Sequence, residues 1–178
     1  MREFQRAYEL DPLNQNAGAQ VALILRILGR RGESVAVLER LKALNSRNPR
    51  VYVGLAECYM LGREFTEAQK MLDVALKLNP REPLARMNQG LVYAFTGRRK
   101  EAEETLNDFQ HDDNEATRLY AQLFIHAALG NFDEAFKALH RMSETHSWPF
   151  LIKTLPVFEE LRKDQRYGAF ITKMGLPH

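Results

Sequence analysis

One apolar and small-residue pattern returns four times along this chain at a spacing of about 34 residues, a period that marks stacked helical hairpins. A lone hairpin of that length cannot bury its apolar face, so each repeat needs a neighbour and the product is an array of helix pairs. The frame runs 15–48, 49–82, 83–115 and 116–148, with a half repeat over 1–14 before it and a segment of different character, 149–178, after it. The pattern predicts helix pairs at 15–28 with 31–45, 49–61 with 65–78, 83–96 with 99–110, and 116–129 with 132–145. Pro49 and Pro83 stand at first-turn positions, where a missing backbone donor costs nothing. Asp112, Asp113, Asn114 and Glu115 suit the capped, dipole-complementing start of the fourth pair, and lack the spacing and glycine of a calcium loop.

The second unit carries Leu55, Ala56 and Tyr59, Gly62 at the turn, then Phe65, Ala68, Leu72, Ala75 and Pro80. The third places Gly90, Tyr93, Gly97, Ala102, Leu106 and Phe109 at matching positions, and the fourth Leu119, Leu123, Gly130, Phe132, Ala135, Leu139 and Met142. The first has Ser34 at the position Ala68 holds in the second. This pattern resembles the tetratricopeptide repeat. The resemblance implies an all-α, right-handed superhelical solenoid of antiparallel helix pairs, closed by a C-terminal capping helix and serving protein–protein interaction. Ala68, Ala102 and Ala135 then mark points where paired helices cross too closely for a larger side chain.

The tail reads as short, proline-punctuated pieces, Trp148-Pro149-Phe150 and Leu155-Pro156-Val157-Phe158. They lead to Asp164 as N-cap of a final helix from Gln165 to Met174, closed by Gly175. Pro156-Val157-Phe158, Leu161-Arg162-Lys163-Asp164 and Met174-Gly175-Leu176 resemble the closing segment of bacterial tetratricopeptide signalling and regulatory proteins, although Gln165 and Tyr167 replace the proline and phenylalanine of that pattern. That resemblance implies an alternative role, as C-terminal regulatory segment of a multidomain signalling or transcription-regulatory protein. The chain also opens in mid-repeat: Phe4, Ala7, Tyr8, Leu10 and Asp11-Pro12 match a second helix without its first. We therefore expect a piece of a longer protein, and a weak homodimer through the unpartnered face of that N-terminal helix.

Charge and composition narrow the partners. With 45% hydrophobic and 27% charged residues, the net charge of the 178-residue chain is only +2, far from the basic excess of a nucleic-acid or membrane-surface protein. No apolar run approaches the roughly 18 residues of a membrane span, and Met1-Arg2-Glu3-Phe4 does not open a signal peptide, so a cytoplasmic location is expected. The one cysteine, Cys58, reads as a packed small side chain. The five histidines show no pairing at helical metal-site spacing, and no phosphate loop or nucleophile elbow is present. No cofactor, metal or enzymatic activity is expected.

Within the tetratricopeptide resemblance, the inward face of each first helix supplies the candidate partner groove: Arg50, Val53, Glu57 and Met60, then Met87, Asn88 and Leu91, then Tyr120 and Phe124, with Arg26 on the first pair. Only Arg50 and Asn88 are polar anchors of the kind that the carboxylate-clamp subclass uses. The apolar remainder favours an amphipathic helix or apolar peptide. A second candidate is a basic turn edge of Arg30, Arg31, Arg63, Arg98, Arg99 and Lys100, repeated once per unit. Charged helix starts bathed in solvent account for most such patterns, and the exposed aromatics that single-stranded nucleic acid needs are missing.

Overall fold

The polar caps and apolar stripes resolve into helices alone in the computed structural model, which describes residues 14–45, 47–145 and 150–174. In chain order these are α1 Gln15–Ile27, α2 Arg31–Leu44, α3 Pro49–Leu61, α4 Phe65–Leu78, α5 Pro83–Phe95, α6 Arg99–Gln110, α7 Glu115–Ala128 and α8 Phe132–Glu144. Two 3-10 turns, Phe150–Lys153 and Pro156–Phe158, then precede the short α9 Glu159–Lys163 and α10 Gln165–Lys173. Among the described residues there is no strand. The half repeat at 1–13 with Phe4, Ala7 and Tyr8, together with Trp148-Pro149 and the closing Gly175-Leu176, lies outside the described residues.

First and second helices of each pair begin in different ways. Asn14, Asn48 and Asn114 cap α1, α3 and α7, each side chain accepting from a backbone N–H of the first turn, and Asp164 does the same for α10. The second helices α2, α4, α6 and α8 have no side-chain cap. They are entered through one backbone motif used four times, in which N–H groups of Arg30, Glu64, Arg98 and Asn131 donate to the carbonyls of Leu25, Tyr59, Tyr93 and His126 at 2.8–2.9 Å. This is the Schellman closure, and it puts one residue per turn in the left-handed region.

Gly29, Gly97 and Gly130 fill that position in three of the turns, with φ of 73–77°. In the second turn the left-handed residue is Arg63, at φ 60°, and the glycine stands one place earlier as the helix-terminating Gly62. Arg31 lies over it: a Cβ on Gly62 would have to displace its guanidinium. That guanidinium donates through Nε to the Cys58 carbonyl at 2.7 Å and pairs with Glu64, so it caps the negative end of α3 from the preceding repeat.

The chain divides into two compact units, Met1–Val92 and Tyr93–His178. In the first, Ala22, Leu38, Leu41, Val51, Leu55 and Cys58 form one apolar cluster and Tyr52, Val53, Ala56, Ala68, Leu72, Ala75, Ala85 and Val92 another. Ser34 is fully buried between helices; its hydroxyl donates to the Ala22 carbonyl at 2.8 Å and accepts from the Cys58 thiol at 3.4 Å, so the serine in the alanine position is satisfied. In the second unit Ala102, Ala135, Phe109, Leu123, Leu139 and Met142 are buried. The complete burial of Ala68, Ala102 and Ala135 fits the crossing points expected from sequence.

The tail is built onto the second unit by its own side chains. Phe158, Leu161, Phe170 and Ile171 are buried, and Arg162 donates to the Ile152 and Leu155 carbonyls at 3.0 and 2.9 Å, tying the 3-10 turns to α9. Arg166 bonds both Asp164 and Asp133, the latter on α8 at 2.7 Å, and lies 4.6 Å above the Phe136 ring. Those Arg166 hydrogen bonds hold the Asp164 carboxyl down at about 2.

Candidate functional site

The candidate groove residues fall in both units. In the first, Arg50, Val53, Glu57 and Met60 follow one another at helical spacing along α3, and Met87, Asn88 and Leu91 lie on α5. Glu57 is the centre of a polar ladder. Arg26 of α1 approaches its carboxylate at 2.5 Å, and Asn88 of α5 donates Nδ2 to it at 3.1 Å. Their exposure is small, 12% for the Arg26 side chain, 22% for Glu57 and 2% for Asn88. One carboxylate thus neutralises one cation and satisfies one buried amide, linking three successive first helices.

Consequently Asn88, one of the two polar anchors read from sequence, is already engaged inside the molecule. Arg50 is the anchor left open: its side chain is 72% exposed and reaches only to 3.9 Å from Glu82. Val53, Met87 and Leu91 are buried, and Met60 is half-buried, so the apolar surface this face offers to solvent is narrow and centred on Met60. The sequence signal for the ladder was present, since Arg26, Glu57 and Asn88 recur one per repeat, but their mutual pairing was not legible.

In the second unit Tyr120 and Phe124 stand on α7 with ring centroids 6.2 Å apart. Phe124 meets Phe158 of the tail edge-on at 4.8 Å, and both are buried. The tail itself therefore covers this groove position, with Tyr120 half-buried beside it.

The basic edge is largely neutralised. Arg30 pairs with Glu33 at 2.6 Å, Arg31 with Glu64, Arg98 with Glu101 at 2.8 Å, Arg99 with Glu103 at 2.9 Å and Lys100 with Glu104 at 3.8 Å. Arg63, exposed at the left-handed position, is left out of these pairs. Arg98 also lies 4.3 Å above the Tyr93 ring, and Arg99 donates to Asn131 Oδ1 at 2.9 Å. With that oxygen committed, the Asn131 amide nitrogen faces His126 Nδ1 at 3.5 Å, which suits a neutral ring accepting there. Burial holds His126 below its usual 6.5, against the opposing pull of Glu134 and Glu103.

Among the described residues no cluster of three or more His, Cys, Asp or Glu side chains could hold a metal ion, and no helix is long and apolar enough to cross a membrane. Cys58 is buried.

The sequence model of the tetratricopeptide repeat matches residues 25–89, which contain α2, α3 and α4 complete. Residues 25–89 thus carry the tetratricopeptide repeat pattern. A thermophilic tetratricopeptide protein from Thermus thermophilus, TTC0263, superposes with a TM-score of 0.67 at 24% identity, covering 95% of this chain and 87% of its own. YrrB, described as a tetratricopeptide protein with an unusual peptide-binding site, gives a TM-score of 0.55 at 17% identity over 96% of this chain and 97% of its own. At these identities the likeness is one of fold. The curated relative, BBSome complex member BBS4 of Bos taurus, is 29% identical over 140 residues, which is 78% of this chain and 27% of that protein. The chain thus spans about a quarter of that relative's length. Stacked tetratricopeptide hairpins make a protein–protein interaction module.

Proposed function

We propose that this module binds a peptide or helix of a partner protein along the face of α3 that carries Arg50, Glu57 and Met60. The observation that carries this reading is the closed polar ladder. With Glu57 and Arg26 compensating each other and Asn88 satisfied, the face holds no unpaired charge in its interior, and an entering apolar side chain would meet Met60 without stranding an ion. Arg50, open at one end of the stripe, would take a polar group or a backbone carbonyl. Methionine adapts its shape to varied apolar partners. The peptide-binding site named for YrrB and the membership of BBS4 in a complex are in keeping with such a role.

The test is selection of binding sequences from a displayed random peptide library, with Met60→Glu as counter-selection. Recovered peptides should be amphipathic or apolar, and the charge introduced by Met60→Glu should abolish their binding at a temperature where circular dichroism shows the variant still folded, Met60 being packed in part on the core. Peptides whose binding depends on a free acidic C-terminus, or that bind Met60→Glu equally, would overturn it.

A further inference from the structure

The two ends of the helix pairs in the first unit differ in charge compensation. At the turns from first to second helices, Arg30 and Arg31 each hold a carboxylate, while the exposed Arg63 is left out of these pairs. At the turns from second to first helices, the exposed Arg47 and Arg81 form no ion pair among the described residues, and neither does exposed Lys77. Arg50 joins them, 3.9 Å from a Glu82 that is itself buried. The first turn of α3, which opens here, contains no acidic residue, so its positive helix end adds to the same field, whereas Glu82 stands directly before α5.

Apolar surface accompanies this charge. Leu44, Leu78 and Leu84 are 45%, 38% and 44% exposed, three of the six exposed large apolar side chains among the described residues. The turns that present them repeat one backbone geometry: Asn45 at φ −153°, ψ 99° and Asn79 at φ −144°, ψ 97° end α2 and α4. Each asparagine Oδ1 then accepts the N–H two residues on, of Arg47 at 2.9 Å and of Arg81 at 3.1 Å. Leu44 with Arg47 and Leu78 with Arg81 are therefore the same leucine–arginine pair shown twice, and the Arg50 approach to Glu82 sets the two turns side by side.

We propose that this edge, which shares Arg50 with the Met60 face and otherwise lies apart from it, docks an acidic segment of a partner protein that carries leucine-like side chains between its carboxylates. Arginine forks match carboxylates in pairs, and the exposed leucines supply the apolar component that a purely ionic contact lacks. Nucleic acid would use the arginines and leave the leucines idle, since base stacking calls for aromatic rings.

The probe is a labelled synthetic peptide of alternating glutamate and leucine pairs, with a glutamine-for-glutamate version as control, read by fluorescence anisotropy on the full chain. The acidic peptide should bind and weaken with added salt, and Arg47→Glu with Arg81→Glu should reduce affinity about tenfold. Leu44→Ser with Leu78→Ser should also weaken it, whereas Met60→Glu should not, which separates this surface from the Met60 face. All the substituted edge residues are exposed, so melts should match the parent. The proposal is overturned by an acidic peptide that fails to bind, by equal affinity for the glutamine version, by loss of binding only in Met60→Glu, or by a chain that sediments with phosphatidylserine vesicles and ignores the peptide.

Discussion

Removing the carboxylate at the centre of the ladder tests whether Arg26, Glu57 and Asn88 act as a unit. In Glu57→Ala, Arg26 at 12% exposure loses its counter-ion and Asn88 at 2% loses its acceptor. Truncating one member of a fully buried ion pair costs about 3–5 kcal/mol. Because Glu57 is 22% exposed and water reaches the pair, the lower end applies, about 3 kcal/mol. Asn88→Ala removes one hydrogen bond to a charged acceptor and leaves the Arg26 pair standing, at a cost of about 1.5 kcal/mol. The double variant has no Asn88 bond left to lose, so it should cost about 3 kcal/mol where simple addition gives about 4.5, a coupling of about 1.5 kcal/mol. Urea unfolding followed by circular dichroism measures all four proteins, with a constant m-value showing that the same transition is compared. Costs that add to within about 0.5 kcal/mol, or a Glu57→Ala protein as stable as the parent, would refute the shared-acceptor argument.

Ala68→Leu or Ala102→Leu should overpack fully buried crossings and destabilise by about 1–3 kcal/mol, read as a lowered melting temperature. Phe158→Ala should open a cavity against Phe124 at a cost of about 3–5 kcal/mol and leave the tail susceptible to proteolysis, checked by limited digestion. Burial lowers the folded pKa of His126 below 6.5, so the unfolded chain binds the extra proton. Its contribution is complete above the unfolded value near 6.5 and is lost as pH falls through the folded value; imidazole titration by nuclear magnetic resonance and melts of His126→Gln, which should flatten this slope, are the checks.

How far the sequence reached is visible element by element. The helix expected at 65–78 is α4 at Phe65–Leu78, and the final helix expected after Asp164 is α10 with the Asp164 side chain on the Arg166 N–H. These are local properties: apolar spacing, a capping side chain and a proline at the first turn are each settled within a few residues. Gly62 shows the limit. From sequence it stands as a turn glycine, yet the left-handed residue is Arg63, and the space over Gly62 is taken by a guanidinium from the previous repeat, which a larger residue would have to displace.

The same limit governs the candidate site. Periodicity along single helices is enough for the repeat, its small crossing residues and the stripe on which Arg50, Glu57 and Met60 stand. The sharing of Glu57 by Arg26 and Asn88, the capping of α3 by Arg31 and the contact of the tail's Phe158 with Phe124 come from packing alone. Each of these pairs joins groups roughly one repeat apart in sequence, and which atoms meet depends on how neighbouring hairpins stack, a relation that no property of a single helix encodes.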